Sequence, residues 1–215
     1  MSTSSMATMK SRVVLGAGDM LDLVACAWSD ASPGEAIIRV EATQRSDYSF
    51  DLRALDAFDP VTTLLFAAFD ERFGNFKRAE LMQAAMARGF HLATIVARGA
   101  EVASTARTGR NVFIAPGAVV GSGVSIDYNS VLHAGSVVCH GARIKASCWI
   151  ESGVTIGAHA DVAAHVTLRT GVLVAPSVKI GRYCDIGVPG LYRTHVASKT
   201  IIDPRYDTPI LVYGE

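Results

Sequence analysis

The chain has 215 residues, and its 20 Lys and Arg balance 20 Asp and Glu to a formal net charge of +0. With no Lys/Arg block, that balance argues against an extended nucleic-acid footprint. The cysteines Cys26, Cys139, Cys148 and Cys184 make neither a CxxC pair nor a zinc spacing, so a reduced, cytoplasmic protein without metal is expected.

The opening "MSTSSMATMK" is polar and Ser/Thr-rich, and residues 1–11 are expected to form a flexible tail rather than a signal peptide. The apolar stretch that follows, "VVLGAGDMLDLVACAW", is broken by Asp19 and Asp22, which disqualifies it as a membrane span. Residues 12–94 alternate between strand and helix patterns. "RVVL" (12–15), "AIIRV" (36–40) and "TTLLFAAF" (62–69) are apolar strands, and "HLATIV" (91–96) leads onward. Helical patterns cover 20–28 and 76–89, the second ending on a glycine. Together they predict a Rossmann-like α/β subdomain with a parallel sheet. The turn "GAGD" opens the first helix on Gly16 and Gly18. Free backbone N–H groups there can hold a phosphate, but Asp19 brings a negative charge, so a plain strand-to-helix turn stands equally beside nucleotide binding.

Residues 95–191 follow a period of six. Starting at Val96, every sixth residue to Ile186 is aliphatic except Thr108, with no insertion or deletion. Four places after each such leader stands a small residue, and one place before that Gly or Asn recurs, as at Gly99, Asn111, Gly117 and Asn129. Gly and Asn tolerate left-handed backbone, so they mark corners. The pattern is that of hexapeptide β-helix repeats. Residues 192–215 form a C-terminal extension outside it.

Within the repeat, His140 stands two places after the leader Val138, at a corner, and projects outward. His133 and Glu151 are eighteen residues apart, one coil of three hexads. They stack in one outward column, about 4.8 Å apart by strand spacing, with Arg169 next. His159 and His165 occupy corner slots, which favours a turn role, and His195 falls in the C-terminal extension. Cys148 and Cys184 take the small inward slot.

The segments "FAAFDERFGNFKRAELMQAAMARGFHLATIV", "IAPGAVVGSGVSI" and "VLHAGSVVCHGARI" resemble the NeuD/PglD-type family of sugar O- and N-acyltransferases. The resemblance covers roughly residues 12 to 190. It implies a left-handed parallel β-helix after the α/β subdomain, a homotrimer with active sites between adjacent subunits, and acetyl-CoA as acyl donor. It places the general-base histidine on His140, where imidazole chemistry suits proton removal from an acyl acceptor. One coil on, Gly157 and Ala158 match the segment whose backbone N–H groups hold the thioester oxygen. Three departures stand out: the acidic residue that usually follows the histidine is Gly141, the usual asparagine is His133, and a frequent later histidine is Trp149. His133 and Glu151 are therefore the candidates to assist His140. Trp149, Lys179 and Arg182 are candidates to contact acetyl-CoA. Gly16, Gly18, and Asn75 and Arg78 of "NFKR", are candidates to contact a nucleotide-linked sugar, although the usual acidic cluster after the second strand is absent from "RVEATQRSDYSF".

The implied activity is acetyl-CoA-dependent N-acetylation of a nucleotide-linked amino sugar, for a cell-surface polysaccharide or glycan precursor. The alternatives are O-acetylation of a sugar hydroxyl and a non-catalytic trimeric β-helix scaffold. Metal-dependent hydration on a trimeric β-helix is disfavoured, because no H-x4-H spacing is present. No nucleic-acid or membrane partner is expected.

Overall fold

A computed structural model describes residues 11–212, so the tail expected over 1–11 lies, but for Ser11, outside the described residues. Strand β1 (Ser11–Gly16) feeds helix α1 (Gly18–Ala31), then β2 (Ile37–Glu41). A small antiparallel hairpin follows, β3 (Thr43–Gln44) with β4 (Phe50–Asp51). The chain then runs through β5 (Thr63–Ala68), α2 (Phe76–Ala87) and β6 (His91–Leu92). Four strands form one parallel sheet in the order β2-β1-β5-β6. Alternation within the strands sends Val14 and Phe66 toward Met20 and Val24 of α1. Val13 and Leu65 go toward Leu81 and Ala85 of α2, so a helix covers each side.

From Ile95 the chain winds into a parallel β-helix with three faces. First-face strands start at Ile95, Phe113, Val131, Trp149, Thr167 and Asp185, each paired with the strand one coil away. The second face carries Glu101, Val119, Val137, Thr155 and Leu173. The third carries Arg107, Ser125, Arg143, Asp161 and Lys179. Leaders from Ile114 to Ile186 fill the interior. Corner residues take the left-handed conformation as predicted, including Asn111, Asn129, His159 and His165.

Two features depart from the six-residue frame. The first-coil leaders are not all buried: Val96 is 41% exposed, and Thr108 is exposed too. They have a neighbouring coil on one side only, so half of the contacts that bury later leaders are missing. At the other end the β-helix passes residue 191. Tyr192 pairs with Val174, Val196 bridges to Ile180, and Ile202 pairs with Ile186. The last two steps span sixteen residues instead of eighteen, which hides this coil from a strict hexad count. Thr200–Ile202 then pairs antiparallel with Ile210–Leu211.

The N-terminal unit lies on the first face. Phe113, Val131 and Trp149 pack with Met20, Val24 and Trp28 in one apolar cluster. Val131 and Trp149, which occupy outward slots of the frame, are thus covered by their own chain. Polar ties reinforce this contact. The Asn111 side chain accepts from the Ala67 N–H at 2.7 Å and donates to its carbonyl at 3.0 Å. It also donates to Asn129, whose amide donates to Ser147, so one corner becomes a buried hydrogen-bonded ladder. Among the described residues no helix is long and apolar enough to cross a membrane.

Candidate active site

His140 follows the strand Val137–Val138 at the corner between the second and third faces and is exposed. One coil on, the backbone passes directly beside it: the His159 N–H donates to the His140 carbonyl at 3.0 Å. Of the two amides expected to hold an oxyanion, Gly157 donates to the Val174 carbonyl at 2.8 Å and is spent. The Ala158 N–H has no acceptor among the described residues. An unspent donor next to an exposed imidazole is the pairing that acyl transfer needs.

A second site opens where the N-terminal unit meets the β-helix. The N-terminus of α1 with Ala17, Gly18 and Asp19 faces Asp70, Glu71, His133 and Trp149 across a cleft of about 440 Å³. It continues past Glu71 and His133 to Glu151 and Thr170. Gly18, with φ +58, lines the cleft, and its backbone turns the chain into the helix. Gly16 does not line it. A Cβ there would run into the Ala68 carbonyl, so this glycine serves the close approach of β1 and β5. Asp70 and Glu71 were not singled out from the sequence, yet they stand just past the carboxyl end of β5, the end of a parallel sheet where ligands bind.

The stacked column forms, with a different partner scheme from the one expected. Arg169 bonds Glu71 at 2.9 Å, Glu151 at 3.0 Å and Asp185 at 2.9 Å. Glu151 also accepts from the Thr170 N–H at 2.8 Å and its hydroxyl at 3.0 Å. Its carboxylate is therefore committed to Arg169 and Thr170, and does not orient either histidine within the chain. His133 instead rests on Trp149, with ring centroids 4.4 Å apart, and its Nε2 is buried without a partner among the described residues. Burial lowers its pKa below the ordinary 6.5, against the opposing pull of Glu151, with Arg78 adding to the lowering. The unfolded chain therefore binds the proton first on acidification. The His133 contribution to stability should be complete above about pH 6.5 and be lost as the pH falls toward the folded value. Denaturant melts between pH 7.5 and 5 should show a shallower acid loss in His133→Gln than in the native chain.

The remaining candidates separate by location. Asn75 and Arg78, expected to contact a sugar nucleotide, are fully buried. Arg78 donates to the carbonyls of Asn129 and Cys148 at 3.1 and 3.2 Å and to Asp70 at 3.3 Å, with its guanidinium 5.3 Å from the centroid of Trp149. Asn75 donates to the Thr167 hydroxyl at 3.1 Å. Both tie the N-terminal unit to the β-helix and present nothing to a solute. Trp149, expected to contact acetyl-CoA, is 6% exposed on the first face, beside the cleft rather than beside the His140 of its own chain. Lys179 is exposed on the third face, and Arg182 lies at the corner between the third and first faces. Of the five candidates for acetyl-CoA contact, only Gly157 and Ala158 share the edge of His140. A larger cleft of about 570 Å³, lined by Phe76, His165 and Tyr183, lies along the corner between the third and first faces and includes neither site. Among the described residues, no group of three or more His, Cys, Asp or Glu is placed to hold a metal ion.

No family model matches the sequence, and no curated protein matches it. Solved structures do. PerB from Caulobacter crescentus, determined in complex with CoA and GDP-perosamine, superposes with a TM-score of 0.68 at 22% identity, over 90% of this chain and 94% of that one. The acetyltransferase domain of PglB from Neisseria gonorrhoeae gives a TM-score of 0.64 at 20% identity, over 93% and 99%. At these identities the likeness establishes the fold: the chain shares the left-handed β-helix architecture of PerB and the PglB acetyltransferase domain.

Proposed function

We propose that the protein is an acetyl-CoA-dependent acyltransferase that N-acetylates a nucleotide-linked amino sugar, with His140 as general base. The observation that carries this is the exposed His140 imidazole one coil from the unspent Ala158 N–H, on a fold shared with PerB over nearly its whole length. In the reaction the acceptor amine attacks the thioester carbonyl while His140 removes its proton. The Ala158 N–H donates to the developing oxyanion, and as the C–S bond breaks the protonated His140 returns its proton to the departing sulfur, so that CoA leaves as the thiol. The cleft at the N-terminus of α1 is the acceptor site, and the N-terminal sheet is a Rossmann-like unit. Its carboxylates, Asp19, Asp70 and Glu71, suit an amino group better than a neutral hydroxyl.

His133 of the cleft and His140 flank opposite edges of the second face, so one chain does not bring them together. That face carries an open apolar column, with Val119 at 37%, Leu173 at 39% and Leu191 at 49% exposure. Burying it in a homotrimer would bring the His140 edge of one copy to the cleft edge of the next. Leu173→Glu is expected to give a monomer by light scattering and to lose activity with the trimer. The direct test is turnover of acetyl-CoA with a panel of nucleotide-linked amino sugars that includes GDP-perosamine. Acetylation of none of them, with a folded trimer, would overturn the proposal.

A further inference from the structure

Gly141 follows His140 with φ +67, and a Cβ built on it would overlap the imidazole Nδ1 of His159. The space that a side chain at 141 would fill is thus taken by a ring from the next coil. That ring stands perpendicular to His140, with centroids 5.0 Å apart and an interplanar angle of 89°, within the range of favourable edge-to-face contacts. Its own backbone is fixed: φ is +57, and the His159 N–H is bonded to the His140 carbonyl. The same left-handed corner is held elsewhere by Gly, Asn, Ser, His and Tyr, so the backbone tolerates a side chain there, and what sets His159 apart is its ring contact with His140.

We infer that His159 is the positioning residue of His140, holding the base in its working rotamer by edge-on contact across the vacancy at Gly141. This rests on His140 being the general base. An imidazole without neighbours samples several staggered rotamers; the His159 ring, on a backbone held by its N–H bond to the His140 carbonyl, crowds those that swing the His140 ring over Gly141. The stationary element is the coil, so the constraint is built into the stacking of the β-helix and involves no hydrogen bond to the base.

The test uses His159→Asn, which keeps a residue suited to left-handed backbone, as at Asn111 and Asn129. Turnover should fall by about five- to tenfold, the worth of one edge-to-face contact, with the KM for acetyl-CoA and the melting temperature nearly unchanged. In ¹³C-labelled histidine spectra, the His140 Cε1–H resonance should move when His159 is replaced. His159→Phe should restore part of the turnover, because the edge contact survives without a titratable group. Unchanged turnover and an unmoved His140 resonance in His159→Asn would overturn the inference. The resonance reads the contact whether or not an acceptor is turned over. If His140→Ala is as active as the native chain, the assignment of the base has failed instead.

Discussion

His140→Ala is expected to lower turnover by about 10²–10⁴-fold while leaving acetyl-CoA binding nearly intact, because it deletes proton transfer and little else. The side chain is exposed and takes no part in the apolar clusters, so its loss should not disturb folding. Steady-state kinetics with isothermal titration of CoA separates the two effects. Glu151→Gln, by contrast, should act through structure. It removes charge from a carboxylate that bonds Arg169 and Thr170 and so helps hold the loop at Glu71. A variant that kept KM, lost turnover and melted like the native chain would give Glu151 a direct part in the chemistry.

Arg78→Met is expected to cost about 3 kcal/mol of stability, the upper end of the scale for leaving a buried acceptor without its charged donor. Burial pulls the guanidinium pKa down to about 10, with Glu71 and Asp70 nearby holding it up. It therefore remains charged at neutral pH, bonded to carbonyls that no other side chain among the described residues reaches. Removing it leaves the buried Asn129 carbonyl without a donor among the described residues, which is costly, while the Cys148 carbonyl keeps the Val131 N–H at 2.9 Å. Arg78→Lys should recover only part of the loss, since a single ammonium does not reproduce the planar fork. A fall in Tm of roughly 10 °C for Arg78→Met is the expected scale. A fall of only a degree or two would mean that the N-terminal unit docks through its apolar cluster alone.

The β-helix was legible because its constraint is local and repeated. Each leader must enter a narrow interior and each corner must turn left-handed, so Ile114 and Asn129 announce their roles in their own hexads. The outward position of His140 follows from the same frame. What was not legible depends on which surfaces meet. Trp149 and Val131 occupy outward slots like Val119 does, and only docking of α1 separates the buried pair from the exposed one. Arg78 has the same letter whether it binds a phosphate or the carbonyls of Asn129 and Cys148. The final coil was hidden because its steps shorten to sixteen residues at Val196 and Ile202. The contact of His159 with His140 was hidden because it needs both the coil stacking and the missing side chain at Gly141.

A chain of near-identical hexads has a weakness of its own. With almost every leader aliphatic, little inside the β-helix distinguishes one coil from the next, and a nascent chain could wind with a coil skipped at modest loss. The N-terminal unit removes that ambiguity. The Ala67 N–H and carbonyl are both met by the amide of Asn111, Arg78 bonds the carbonyls at 129 and 148, and Asn75 bonds the hydroxyl at 167. These contacts fall on four successive coils, so they act as a gauge laid along the stack. A mis-wound chain would bury several polar groups unpaired against the gauge. The unit that forms the cleft at α1 thus also numbers the coils, and it fixes which histidine arrives at the corner between the second and third faces.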